Sequence, residues 1–198
     1  MAVTIDGTTG VSLVQDGVVA TADLADGAVT AAKIADTVPG IAQYPSEVSL
    51  NGISAADFTS IPSWVRKITI VTRNVSTASD ANRVAVRVGT SGGFVSSGYT
   101  SMGLYVNNGN SPVIATVTNE WEFSGWGGAS SFYHHVWNLY EATGDHWICD
   151  AMMTNESNAG YFNRCTGRIE LGAELTQVRL FTDSGSNFDA GTVRISYE

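Results

Sequence analysis

Residues 83–88 read Arg-Val-Ala-Val-Arg-Val, and their alternation decides the fold class. Three valines fall on one side of an extended chain and two arginines on the other, the period-two signature of a strand with one face in a core. The same sorting returns at residues 192–197 (TVRISY), with Val193, Ile195 and Tyr197 inward, and at 177–181 (QVRLF). At 133–140 (YHHVWNLY) it groups Tyr133, His135, Trp137 and Leu139. Residues 67–73 (KITIVTR) depart from it, because Val71 interrupts the polar side, so this segment reads as a more deeply buried strand. Between the runs lie turns rich in Gly, Ser and Asn, at 74–82, 89–93, 107–112, 125–131 and 183–187. No window from 48 to 198 carries a helical period of helical length. Roughly eight strands joined by such turns predict an all-β, antiparallel two-sheet sandwich, with a jelly roll as its specific form.

Upstream of residue 48 the pattern changes. Residues 16–25 (DGVVATADLA) and 26–35 (DGAVTAAKIA) share Asp-Gly, a Val at the fourth place, Ala at the seventh, Leu or Ile at the ninth and Ala at the tenth. A third copy starts at Asp36 but stops at Thr37-Val38-Pro39-Gly40. A segment of ~40 residues without disulfide or metal is too small to hold a core of its own. The repeat positions Val19, Leu24, Val29 and Ile34 therefore need a partner surface, and the same segment of another copy provides one. Residues 1–44 read as an N-terminal oligomerisation stalk and 45–198 as the sandwich domain. A continuous Ala-rich helix competes with this reading, but Gly17 and Gly27 cost it about 1 kcal/mol each. Short helical turns punctuated at each Asp-Gly, with Thr21 and Thr30 as N-caps, are a form the repeats can take, and a flexible arm is the alternative to the stalk.

Charge excludes several functions. With a formal net charge of −9 and only ten Lys and Arg, of which Arg66-Lys67 is the one adjacent pair, the chain offers no basic patch for nucleic acid. No apolar run approaches the ~18 residues of a membrane span, so membrane insertion is not expected. The first residues lack the basic and apolar regions of a secretory leader. Cys149 and Cys165 match no metal spacing; free thiols packed as small hydrophobes are the expected state, with a disulfide between them as the alternative.

Catalysis finds little to stand on. Glycoside hydrolysis needs two carboxylates flanking the scissile bond, whereas Glu120, Glu122, Glu141, Asp145, Asp150 and Glu156 are scattered. Glu120 and Glu122 share a strand face and read as solvated surface. No G-x-S-x-G nucleophile elbow is present. His134 and His135 point to opposite faces of a strand, and His146, after the Gly144-Asp145 turn, is placed to meet one of them across a hairpin. Packed or hydrogen-bonded histidines are the expected outcome, and the sequence assigns no catalytic residue, metal or cofactor. Residues 183–189 (DSGSNFD) lack the order of a calcium loop and read as a polar hairpin turn, with Gly185 at the special dihedral.

Binding is better supported. Exposed aromatic faces stack on sugar rings while amides and hydroxyls bond the ring hydroxyls, and loops on a rigid scaffold carry such groups. Residues 99–110 (YTSMGLYVNNGN) and 121–133 (WEFSGWGGASSFY) have this composition. Tyr105, Asn107, Asn108, Trp126 and Phe132 are the candidates, whereas Trp121 and Phe123 are spaced as strand core.

The repeat DGVVATADLADGAVTAAKIA resembles the DGAVT-x-AKIA repeats of tailed-bacteriophage tail fibres and related virion appendages. Three further stretches resemble the compact β-domain that ends many of those proteins: Ser-Leu-Asn-Gly at 49–52, DFTSIPSWVRKIT at 57–69 and FDAGTVRISYE at 188–198. The resemblance covers both ends and the first third of the β-domain, not residues 95–165. It implies a homotrimeric virion protein that joins other virion proteins through its N-terminal segment and presents a jelly-roll tip. Such tips bind bacterial surface glycans or proteins, while some only decorate the capsid or tail. Some such tips instead cleave glycans.

Overall fold

The computed structural model describes residues 43–80, 82–106, 112–123, 129, 131–156 and 162–198, together with strand residues 5–6 and 10–11. Met1–Val38 and Pro39–Glu198 form two units. In the first, β1 (Ile5–Asp6) and β2 (Gly10–Val11) pair antiparallel. The repeat positions Val19, Leu24, Val29 and Ile34 lie outside the described residues.

The second unit is built from β3 (Val48–Ser49), β4 (Ala55–Thr59), β5 (Lys67–Thr77), β6 (Val84–Thr90), β7 (Gly93–Phe94), β8 (Thr100–Val106), β9 (Pro112–Val117), β10 (Trp121–Glu122), β11 (Tyr133–Thr143), β12 (His146–Asn155), β13 (Phe162–Glu170), β14 (Gln177–Thr182) and β15 (Phe188–Tyr197). No helix occurs among the described residues. The strands make two antiparallel sheets. One has the order β3-β15-β5-β11-β12-β13-β8-β9; the other has the order β10-β6-β14-β4, with β7 paired to β6. The last two strands are wrapped between the first ones: β15 between β3 and β5, and β14 between β4 and β6. That interleaving of β3-β15-β5-β11 with β4-β14-β6-β10 is a jelly roll. Strands β12, β13, β8 and β9 widen its first sheet.

The alternation seen in the sequence becomes burial. Val84, Val86 and Val88 enter the core from β6, Val193, Ile195 and Tyr197 from β15, and Trp137 and Leu139 from β11. Aromatic rings join the two layers. Phe123, just past β10, lies 4.4 Å from the Trp137 ring, and Tyr99 meets Trp121 edge-on at 5.2 Å. Buried side chains of this size each contribute about 1.5–3 kcal/mol. Near its middle, β5 carries a bulge at Asn74 (φ 53), opposite Gly191 (φ 108) of β15. One extra residue shifts the parity, so that Val75 and Thr77 stay inward after Ile68, Ile70 and Thr72.

The structure differs from the sequence reading in two places. Val71 is not buried: it stands on the outer face of β5 and is exposed. The described residues of the unit also form thirteen strands rather than eight, because β8, β9, β12 and β13 carry Ser, Gly, Asn or outward apolar residues that blur the alternation.

Candidate functional site

The hydrogen-bond register sorts the strand ends of the second unit into two poles. Gln43 bridges Tyr197, Tyr197 pairs with Ile68, and Lys67 pairs with Tyr140. The chain thus enters the sandwich at the pole that also holds Glu198. At the other pole Tyr133 pairs with Val75, Thr154 with Phe162, Phe162 with Val106, and Val106 with Pro112. Strands β8, β9, β11, β12 and β13 begin or end there side by side. The covalent connections 107–111, 124–132 and 157–161 all leave from that one pole.

Every aromatic or amide candidate from the sequence belongs to these connections or to the strand ends beside them. Tyr105, near the end of β8, is half-buried and pairs with Asn163 and Val113. Phe132 is exposed just before β11, and its carbonyl accepts the Glu156 amide N–H at 3.0 Å. Phe132 and Tyr105 are three strands apart, about 14 Å across the sheet at the usual strand spacing, and three residues apart along it; Tyr105 shares the inward parity of Ser101 and Gly103, whereas Phe132 is exposed. Asn107, Asn108 and Trp126 lie outside the described residues. The sequence reading missed Phe162, which is exposed at the start of β13 between the other two. Its signal was present: Ser157-Asn158-Ala159-Gly160 precedes Tyr161-Phe162, the same aromatic-beside-amide composition.

Polar groups fix the backbone around these aromatics. His134 Nε2 lies 3.1 Å from Glu156 Oε1, and Asp80 Oδ1 accepts the Ala129 amide N–H at 3.0 Å. Alongside, residues 78–83 and 183–187 are tied together. Ala78 N–H donates to the Asn187 carbonyl at 3.0 Å, and Asp183 Oδ1 accepts the Arg83 amide N–H at 2.8 Å. The hydroxyls of Ser79, Ser184 and Ser186 and the Asn82 amide complete the link. Gly185 has φ 76, the turn geometry expected from the sequence. Exposed rings beside pinned hydroxyls and amides are suited to reversible stacking and hydrogen bonding.

The acidic and histidine side chains fall into separate clusters. Glu120 and Glu122 do share a face, but they are buried rather than solvated. Pairing of β10 with β6 brings Arg83 and Arg87 over them. Arg83 Nη1 donates to Glu122 Oε1 at 2.7 Å, and Arg87 Nε to Glu120 Oε2 at 3.0 Å. Burial pushes the Glu122 carboxyl up, and Arg83 pulls it back down. His146 does not approach His134 or His135: the β11–β12 register puts it opposite Thr143, at the other pole. Its Nδ1 is 3.4 Å from Asp145 Oδ1 and its Nε2 3.2 Å from Glu170 Oε2. Asp145, His146 and Glu170 can each present one ligand atom within 4.8 Å of the others, a grouping of the kind that holds a metal ion. Cys149 and Cys165 are buried, unbonded thiols. No protein-family model matches the chain, and no curated protein matches it.

Proposed function

We propose that the chain is a structural, non-enzymatic appendage protein of a tailed phage or phage-derived particle. In this reading it is a homotrimer whose N-terminal segment joins other virion proteins. The sandwich offers its loop pole to a receptor on the host surface, such as a glycan. One observation carries the reading: the chain enters the sandwich at one pole, and the aromatic- and amide-rich connections leave from the other. Attachment at Gln43 is attachment at the pole farthest from those connections, the polarity that an outward-facing binder needs. Binding of this kind uses stacking and hydrogen bonds, with no covalent step and no cofactor.

Adsorption of particles to host cells tests it. Trp126→Ala combined with Phe132→Ala should reduce adsorption at least tenfold, equivalent to ~1.4 kcal/mol or more, with melting unchanged. Unaltered adsorption would reject the receptor-binding role and leave a decoration protein, whose loss from the particle does not impair infection.

A further inference from the structure

The Gly144-Asp145 turn and the end of β13 bring one imidazole and two carboxylates together at the pole where the chain enters the sandwich. Thr143 pairs with His146 across the turn, and Gly144 takes φ 57 to close it. His146 and Glu170 are direct partners in the β12–β13 register. Both stand on the outer face, since Trp147 and Ile169 beside them are buried. The Leu171 amide N–H donates to the Asp145 carbonyl at 3.1 Å, which holds the turn against the end of β13. The backbone thus fixes where the three side chains start. The side chains themselves are open, with Asp145 31 %, His146 40 % and Glu170 61 % exposed.

The chemistry of the donors points to the ligand. One nitrogen or oxygen from each residue lies within 4.8 Å of the other two, and His146 Nε2 is already 3.2 Å from Glu170 Oε2. Donors on a tetrahedral zinc ion, with bonds of about 2.0–2.2 Å, stand about 3.3–3.6 Å apart. An ion on one ring nitrogen needs only that the carboxylate beside the other nitrogen turn toward it. The ion pairs of Asp145 and Glu170 among the described residues run to His146 alone. Even a protonated ring leaves the trio negative, and a divalent cation neutralises it. One imidazole with two carboxylates suits zinc and its first-row neighbours, whereas calcium takes about six to eight oxygens. Spacing alone assigned no metal, because Glu170 lies 170 − 146 = 24 residues from His146 and meets it only through strand pairing.

We propose that Asp145, His146 and Glu170 form a divalent metal site of the zinc class that clips the β11–β12 turn to the end of β13. The site lies at the pole opposite the aromatic connections, so the ion is structural and takes no part in receptor binding. The appendage reading can fail without touching it.

Zinc titration of full-length, tag-free protein stripped with chelator tests it, by calorimetry at neutral pH. Expected is one ion per chain, with melting raised by about 5 °C or more when free zinc exceeds Kd a hundredfold. Asp145→Asn, His146→Gln and Glu170→Gln should each weaken binding at least tenfold while the zinc-free variants stay folded. His134→Gln, at the other pole beside Glu156, should leave binding unchanged. Calcium in place of zinc should not bind. Absence of zinc binding by the wild type overturns the proposal and leaves an ion-pair clamp. Binding that any one of the three substitutions leaves intact, or that His134→Gln abolishes, places the ion elsewhere and overturns it too. Calcium binding would overturn the zinc class.

Discussion

His135 shows how one side chain couples the core to pH. It is buried, and Thr72 Oγ1 accepts its backbone N–H at 3.0 Å. The Thr72 hydroxyl proton is therefore free to go to Nδ1, 2.7 Å away, which leaves the ring proton on Nε2. Burial first, and the neighbouring His134 second, push the His135 pKa down to about 3. An unfolded histidine titrates near 6.5, so between these values the unfolded chain binds the extra proton. Stability from this group is complete above pH 6.5 and is lost as pH falls toward 3. Between pH 7.5 and 4.5, urea unfolding of the wild type should lose roughly 2 kcal/mol more than that of His135→Leu. Equal losses would contradict the buried neutral imidazole. The inward position of His135 was legible from its spacing with Tyr133 and Trp137. The burial of Glu120 and Glu122 was not, because their arginine partners lie 33 and 39 residues away in sequence and meet them only through strand pairing.

At the scale of elements, the widened sheet depends on close strand approach. Gly167 of β13 lies against β8, where an added Cβ would collide with the Thr100 carbonyl oxygen and reach Ser101 Cα at 3.0 Å. Both obstacles are backbone, so the strands must shift. Gly167→Ala should cost about 1–3 kcal/mol, read as a lower melting temperature. Gly92→Ala is the control: the nearest atom is the Thr90 hydroxyl at 3.5 Å, and its effect should stay within about 0.5 kcal/mol. Equal melting of the two variants would contradict the close β13–β8 packing. The same strands explain why the sequence revealed fewer elements than the fold contains. In β12, Trp147, Cys149, Ala151 and Met153 alternate inward, but Ile148 and Met152 put apolar groups on the outside too. In β8 and β13 the inward places hold Ser101, Gly103, Asn163 and Gly167. Period-two reading fails where the outside is apolar or the inside is not, and Val71 misled it for the first of these reasons.

For the whole molecule, fold class was legible because β5, β6, β11, β14 and β15 each bury one face. Strand order was not, since insertion of β14 and β15 between strands made early in the chain is long-range pairing. The candidate site was legible as composition, from Tyr105, Trp126 and Phe132, but its gathering at one pole follows only from the register. The appendage reading joins that pole to an assembly of three copies. The most direct test of it is the solution mass of the full-length protein at micromolar concentration, by light scattering. The account predicts about 63 kDa, three times the chain mass of 20.9 kDa. A mass of about 21 kDa, that of one chain, would contradict it.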